Sequence, residues 1–145
     1  MSIETWMDEY LPEKFEKDKD EDPKSTVVRA VKHCQKKYSG IKNGILEKHG
    51  VMLNGKTLVE VETQGGRTIL DTNNCALCEL FYCSDDGCEN CPIVRAGYLQ
   101  CEWPGSGWAT TKETGDSSKM IWVLQATLEY VENNKDEQWV FCDEE

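Results

Sequence analysis

Six of the eight cysteines in this 145-residue chain fall between positions 75 and 101. They are Cys75, Cys78, Cys83, Cys88, Cys91 and Cys101. Two of the gaps are short: Cys75-Ala76-Leu77-Cys78 and Cys88-Glu89-Asn90-Cys91. A two-residue gap lets the backbone turn sharply, so two sulfurs face one ion about 2.3 Å away, and amides in the turn can donate to them. Two such turns supply four soft ligands in a tetrahedron, the arrangement that suits Zn²⁺. Nine residues separate Cys78 from Cys88, enough for a loop to bring the turns together. The predicted metal ligands are Cys75, Cys78, Cys88 and Cys91, with Cys101 as the alternate ligand and Cys83 a weaker substitute.

The competing chemistries fit less well. The N-terminus shows no basic region ahead of an apolar stretch, so no secretory signal is visible, and a reducing compartment disfavours disulfides. An iron–sulfur cluster would use the same thiolates. A binuclear zinc cluster of the fungal DNA-binding type expects a longer, basic gap, whereas Glu79-Leu80-Phe81-Tyr82 and Ser84-Asp85-Asp86-Gly87 are apolar and acidic. A zinc deaminase needs a ligand-x-Glu motif and a proline before its second pair. Here Pro92 follows the pair. Zinc at such sites contributes on the order of 10–16 kcal/mol in small peptides. That exceeds the net stability of a small domain, roughly 5–15 kcal/mol, so the knuckle is expected to be disordered without its ion.

Charge divides the chain. Its net value is −11. Residues 1–24 hold nine acids and four lysines, and residues 129–145 seven acids and one lysine. Residues 25–56 run the other way, with Arg29, Lys32, Lys36, Lys37, Lys42, Lys48 and Lys56 against Glu47 alone. Overall acidity disfavours generic duplex binding, which phosphate neutralisation drives. A local basic patch can still attract an anion, because fields decay over roughly 10 Å in salt.

The remaining pattern predicts a small, mostly helical α+β domain with a short β-hairpin and an inserted zinc knuckle. Residues 4–17 carry a rough helical stripe that Pro12 interrupts. Ser25 or Thr26 caps a second helix that Gly40 ends, and a short helix follows over 41–48. Asn54-Gly55 suggests a type I′ hairpin turn, Gly65-Gly66 a second turn. Residues 104–118, rich in Gly, Ser and Thr, read as a loop, and Ser117 or Ser118 caps a final helix to about residue 133. Residues 138–142 read as a docking terminal strand or the end of an ordered tail. The organisation is an acidic N-terminal helix or arm (1–24), a zinc-stabilised domain (25–134) and an acidic C-terminal tail (135–145). No run of eighteen apolar residues suggests a membrane span.

Outside the cluster, His33 and His49 read as surface or capping residues, and Cys34 and Cys142 as core or unreactive thiols. Trp103-Pro104-Gly105-Ser106-Gly107-Trp108 puts two indoles on a glycine loop, either covering the knuckle or exposed as a contact surface.

The run from Asn74-Cys75-Ala76-Leu77-Cys78 through Cys88-Glu89-Asn90-Cys91-Pro92-Ile93 to Cys101 and Pro104 resembles small uncharacterised proteins encoded by bacteriophages and prophages. Those proteins carry Cys-x-Leu-Cys, a variable gap, Cys-x-x-Cys-Pro and a later lone cysteine. Lys36-Lys37-Tyr38-Ser39-Gly40-Ile41, Leu46-Glu47-Lys48-His49-Gly50 and Met120-Ile121-Trp122-Val123-Leu124 are similar to their flanking helices. The resemblance spans roughly residues 25–132 and omits Cys83 and the acidic ends. It implies an accessory phage protein in the cytoplasm of a bacterial host cell, acting on host machinery or host immunity.

The functional expectation is a zinc-binding, non-enzymatic protein that inhibits or redirects a host protein, including an antiviral-defence protein. The alternative is a nucleic-acid or nucleotide binder using the basic 29–56 segment. The residues expected at the partner surface are Arg29, Lys32, Lys36, Lys37, Trp103 and Trp108. An enzyme ranks third, since neither histidine nor a carboxylate pattern accompanies the cysteines.

Overall fold

In a computed structural model, residues 2–71, 74–82, 90–134, 137–139 and 141 are described. They form a small α+β domain: helices α1 (Ile3–Tyr10), α2 (Pro23–Ser39), α3 (Asn43–Lys48), α4 (Ala76–Phe81), α5 (Pro92–Arg95), α6 (Gly107–Thr114) and α7 (Ser118–Asn133), and strands β1 (Val51–Asn54), β2 (Thr57–Glu60) and β3 (Gly66–Thr68).

The long helices α2 and α7 pack against each other and carry the centre of the core. Along α2 the spacing Val27, Ala30, Val31, Cys34, Tyr38 puts one stripe inside, and α7 answers with Met120, Val123, Leu124, Leu128 and Val131. Asp22, rather than Ser25 or Thr26, caps α2: its carboxylate accepts from the Ser25 amide at 3.1 Å. Pro23 sits in the first turn, where its missing N–H costs nothing. At α7, Asp116 accepts from the Ser118 amide at 2.9 Å. Ser117 instead turns its hydroxyl to the Tyr38 carbonyl, 2.5 Å away, joining the start of α7 to the end of α2.

Of the expected helix or arm, the N-terminal segment forms the helix, α1, and it is packed against the core. Trp6 is fully buried, Leu11 and Phe15 join the same core cluster, and residue 24 lies inside α2. The Trp6 indole donates to the Gly40 carbonyl at 2.9 Å. A Cβ at Gly40 would drive into the Tyr10 ring and sit 2.9 Å from Trp6 Nε1, so glycine there lets α1 dock. At the other end, Trp139 and Phe141 are buried and meet Phe81 edge-on, so the C-terminal tail also enters the core at these positions. Strand pairing is absent from the described part of residues 138–142; Val140 and Cys142 lie outside the described residues.

The sheet is an antiparallel meander in the order β1-β2-β3, the hairpin at residue 55 extended by a strand that starts at the Gly65-Gly66 turn. Asn54 pairs with Thr57, which leaves Gly55-Lys56 as the turn. Only Gly55 has positive φ, at 61°. A type I′ turn needs positive φ at both central residues, so the Asn-Gly expectation is corrected by one position. The loop expected over 104–118 contains α6. Ser106 caps it, accepting from the Ala109 amide at 3.0 Å, and Gly115 ends it at φ 72°. A Cβ at Gly107 would lie 2.8 Å from the Met120 Cα, so glycine there lets α6 pack onto α7. Among the described residues, no helix is long and apolar enough to cross a membrane.

Candidate thiol site

The Cys-x-x-Cys turn forms the start of α4. Cys75 is the N-cap, and its sulfur accepts from the Cys78 amide at 3.4 Å. Such amide–sulfur bonds are what the short spacing allows. Cys91 caps α5, with Pro92 in the first turn. The helices are held by their apolar faces, with Leu77, Leu80, Phe81 and Ile93 all in the core cluster.

Cys75, Cys78, Cys91 and Cys101 line one cavity of about 180 Å³. Cys34 from α2 lines it too, which the sequence reading missed by assigning that residue to inert packing. The only available signal was its place on α2 one turn before Lys37. Hydrogen bonds from the Cys34 and Cys78 side chains hold the Cys75 thiol well below its usual range, and the Lys37 ammonium adds to the effect. The same bonds push Cys34 and Cys78 up, helped by burial. Among the five, Cys75 is therefore the sulfur best suited to carry charge. Tyr38, pushed up by burial first and by the surrounding thiols second, stays a neutral phenol. Among the described residues no three His, Cys, Asp or Glu side chains are arranged to hold a metal ion. Cys88, one of the four expected ligands, lies outside the described residues, as does Cys83. What the described residues show is five sulfurs, those of Cys34, Cys75, Cys78, Cys91 and Cys101, lining one partly open cavity.

The expected partner surface is divided. Lys32 and Lys36 are exposed. Arg29 pairs with Glu21 at 2.9 Å and lies over the Phe15 ring at 4.4 Å. Lys37 is 1% exposed, so it belongs to the interior and not to a basic patch. Helical geometry explains the split, since Lys36 and Lys37 point about 100° apart and only one can share the face of Cys34. Trp103 is 55% exposed, whereas Trp108 is half-buried, lines the thiol cavity and donates to the Leu70 carbonyl at 3.0 Å. Lys56 and Lys112 both approach the Trp108 ring, at 5.3 and 4.9 Å. Trp122 is 63% exposed and meets Tyr98 edge-on, with Leu99 exposed beside Tyr98 in sequence. Its position off the α7 stripe was the signal for that exposure.

His49 is the C-cap of α3, the capping alternative of the expectation, and it is buried and not at the surface. Its ring bridges Thr5 Oγ1 at 2.9 Å and Glu9 Oε2 at 3.1 Å, clamping α1 to the end of α3. His33 meets the Glu13 carbonyl at 2.8 Å and packs edge-on against Phe15.

Comparison with known protein families, with curated proteins and with solved structures finds no match.

Proposed function

We propose that this chain is a zinc–thiolate protein that works by contacting another protein. The observation that carries the reading is the convergence of cysteines from 75–78, 91 and 101 on one cavity, although up to 26 positions separate them. A single buried cysteine needs no reason beyond apolar packing, but five thiols around one space ask for a further reason. A soft divalent ion gives that reason. Cys75, Cys78 and Cys91 would hold the ion, with Cys88 or Cys101 as the fourth ligand. When bound, zinc supplies a structural crosslink between α4, α5 and the loop before α6.

The contact surface in this reading is indole-based. Trp103 and Trp122 keep more than half of their surface in solvent, and exposed tryptophans of this kind are enriched at binding hot spots. The resemblance to phage proteins makes a bacterial host protein, such as an antiviral-defence component, the proposed partner, met in the host cytoplasm. The nucleic-acid alternative is weaker than the sequence suggested, because Lys37 is buried and Arg29 is paired with Glu21.

Elemental analysis and native mass spectrometry of the purified, reduced protein test the metal. One zinc per chain is expected, and a cobalt-substituted form should show sulfur-to-cobalt charge transfer. A metal-free protein that keeps its fold in chelator would overturn the reading. For the contact, a stoichiometric host protein captured by the wild-type chain should be lost with W103A/W122A and retained with K32E/K36E. The reverse pattern, with nucleic acid captured in a salt-dependent way, would favour the alternative.

A further inference from the structure

We propose that Lys37 is the buried counter-cation of the thiol site, held on α2 to offset the negative charge that metal-bound cysteines gather in the core. The inference rests on the zinc–thiolate reading above. It starts from a side chain whose placement is otherwise costly. Lys37 is 1% exposed. A buried ammonium is strongly unfavourable unless it is paired and hydrogen-bonded. Its Nζ donates to the carbonyls of Ile69 at 3.0 Å and Asn74 at 2.8 Å, and lies 4.9 Å from the centre of the Tyr38 ring. These are dipoles and a quadrupole; none carries a formal charge. Among the described residues Lys37 forms no ion pair with a carboxylate.

The missing charge has a source in the same cavity. Lys37 lines it together with Cys34, Cys75, Cys78, Cys91 and Cys101. Asp71 and Glu102 line it as well, but neither forms an ion pair with Lys37, and Glu102 is exposed. Four thiolates around one Zn²⁺ carry a net charge of about −2. Such a centre in an apolar surrounding needs cations or N–H donors near its sulfurs, as ligating groups generally need outer partners. Lys37 supplies both a unit of positive charge and a positional link. One of its two carbonyl acceptors belongs to Asn74, the residue before Cys75, so the ammonium is tied to the backbone next to that ligand. One helical turn separates Lys37 from Cys34, which places thiol and ammonium on one face of α2. Lys36, its neighbour in sequence, is exposed and serves as the internal control.

The test compares the wild-type chain with K37M, which keeps the length and apolar stem but removes the charge, and with K36M. Zinc affinity is read by competition with a chromophoric chelator, and unfolding is followed with and without zinc. K37M should bind zinc about 10–100-fold more weakly, the usual loss when an outer partner of a metal ligand is removed. K36M should bind as the wild type does, and the zinc-induced rise in Tm should shrink only in K37M. A folded K37M with wild-type zinc affinity overturns the proposal and leaves the zinc reading standing. A wild-type chain that takes up no zinc removes both. Should K37M not fold, ¹⁵N-detected spectra of the zinc-loaded wild type decide instead. The Lys37 ammonium signal, identified by its retention in K36M, should shift on zinc addition; a Lys37 signal unmoved by zinc overturns the proposal.

Discussion

The helix pair α2 and α7 and the cysteine segment from Asn74 to Cys101 face the same core with different means. α2 and α7 are 17 and 16 residues long and bury continuous apolar stripes. The cysteine segment offers α4, of six residues, and α5, of four. Helices that short are not stable alone, because the cost of nucleation is spread over too few bonds. They are held by Leu77, Leu80, Phe81 and Ile93 against the long helices. One region buries a broad, continuous apolar area, and the other a few side chains on short helices.

Chelation should separate the two most sharply. Under the zinc reading, removing the ion should bring amide protection over 76–81 and 92–95 down to the level of local opening, while the middle of α2 and α7 stays protected in hydrogen exchange. Equal loss in both regions would show that they form one cooperative unit. A side-chain truncation in the apolar core outside the cysteine segment, where α1 docks on the end of α2, is the next largest effect. Trp6→Ala empties a fully buried site and removes the bond to Gly40, and should lower stability by about 3–5 kcal/mol in urea titration, with or without zinc. Gly107→Ala acts where α6 meets α7. Its new methyl would press on the Met120 backbone, and overpacking of this kind costs roughly 1–3 kcal/mol. A neutral outcome in thermal unfolding would mean that α6 can shift without loss.

The smallest effect lies at the surface end of α2. Arg29, through its side-chain hydrogen bond, holds the Glu21 carboxyl below its usual range. A depressed carboxylate stabilises the fold at neutral pH, and the contribution is lost as pH falls through its folded-state pKa. Glu21→Gln should therefore narrow the stability difference between neutral and acidic pH, by well under about 1 kcal/mol for a pair this exposed. An unchanged pH profile would assign the pair no energetic role.

Where local chemistry decides, the chain was readable. The stop at Gly40, the apolar stripe of α7, the strand pair around residue 55 and the turn of Cys75 to Cys78 all follow from periodicity, capping and spacing within a few residues. α6 was hidden because Gly107, Thr110, Thr111 and Thr114 give a weak helical pattern. It forms because Ser106 caps it and Gly107 fits against Met120, which is 13 positions away in sequence. The acidic ends misled for a related reason: charge dominates their composition, while single residues, Trp6, Leu11, Phe15, Trp139 and Phe141, decide that they are packed.

By itself the sequence determined that a small, mostly helical α+β domain would form and that cysteines would be paired at metal-ligand spacing, since both depend on interactions between near neighbours. Only the tertiary structure decided that Cys34 joins the thiols, that Lys37 is inside and Lys36 outside, and that Trp108 is covered while Trp103 and Trp122 are not. Those outcomes depend on how distant segments meet, and burial, unlike helix or strand propensity, is a property of the whole packed chain.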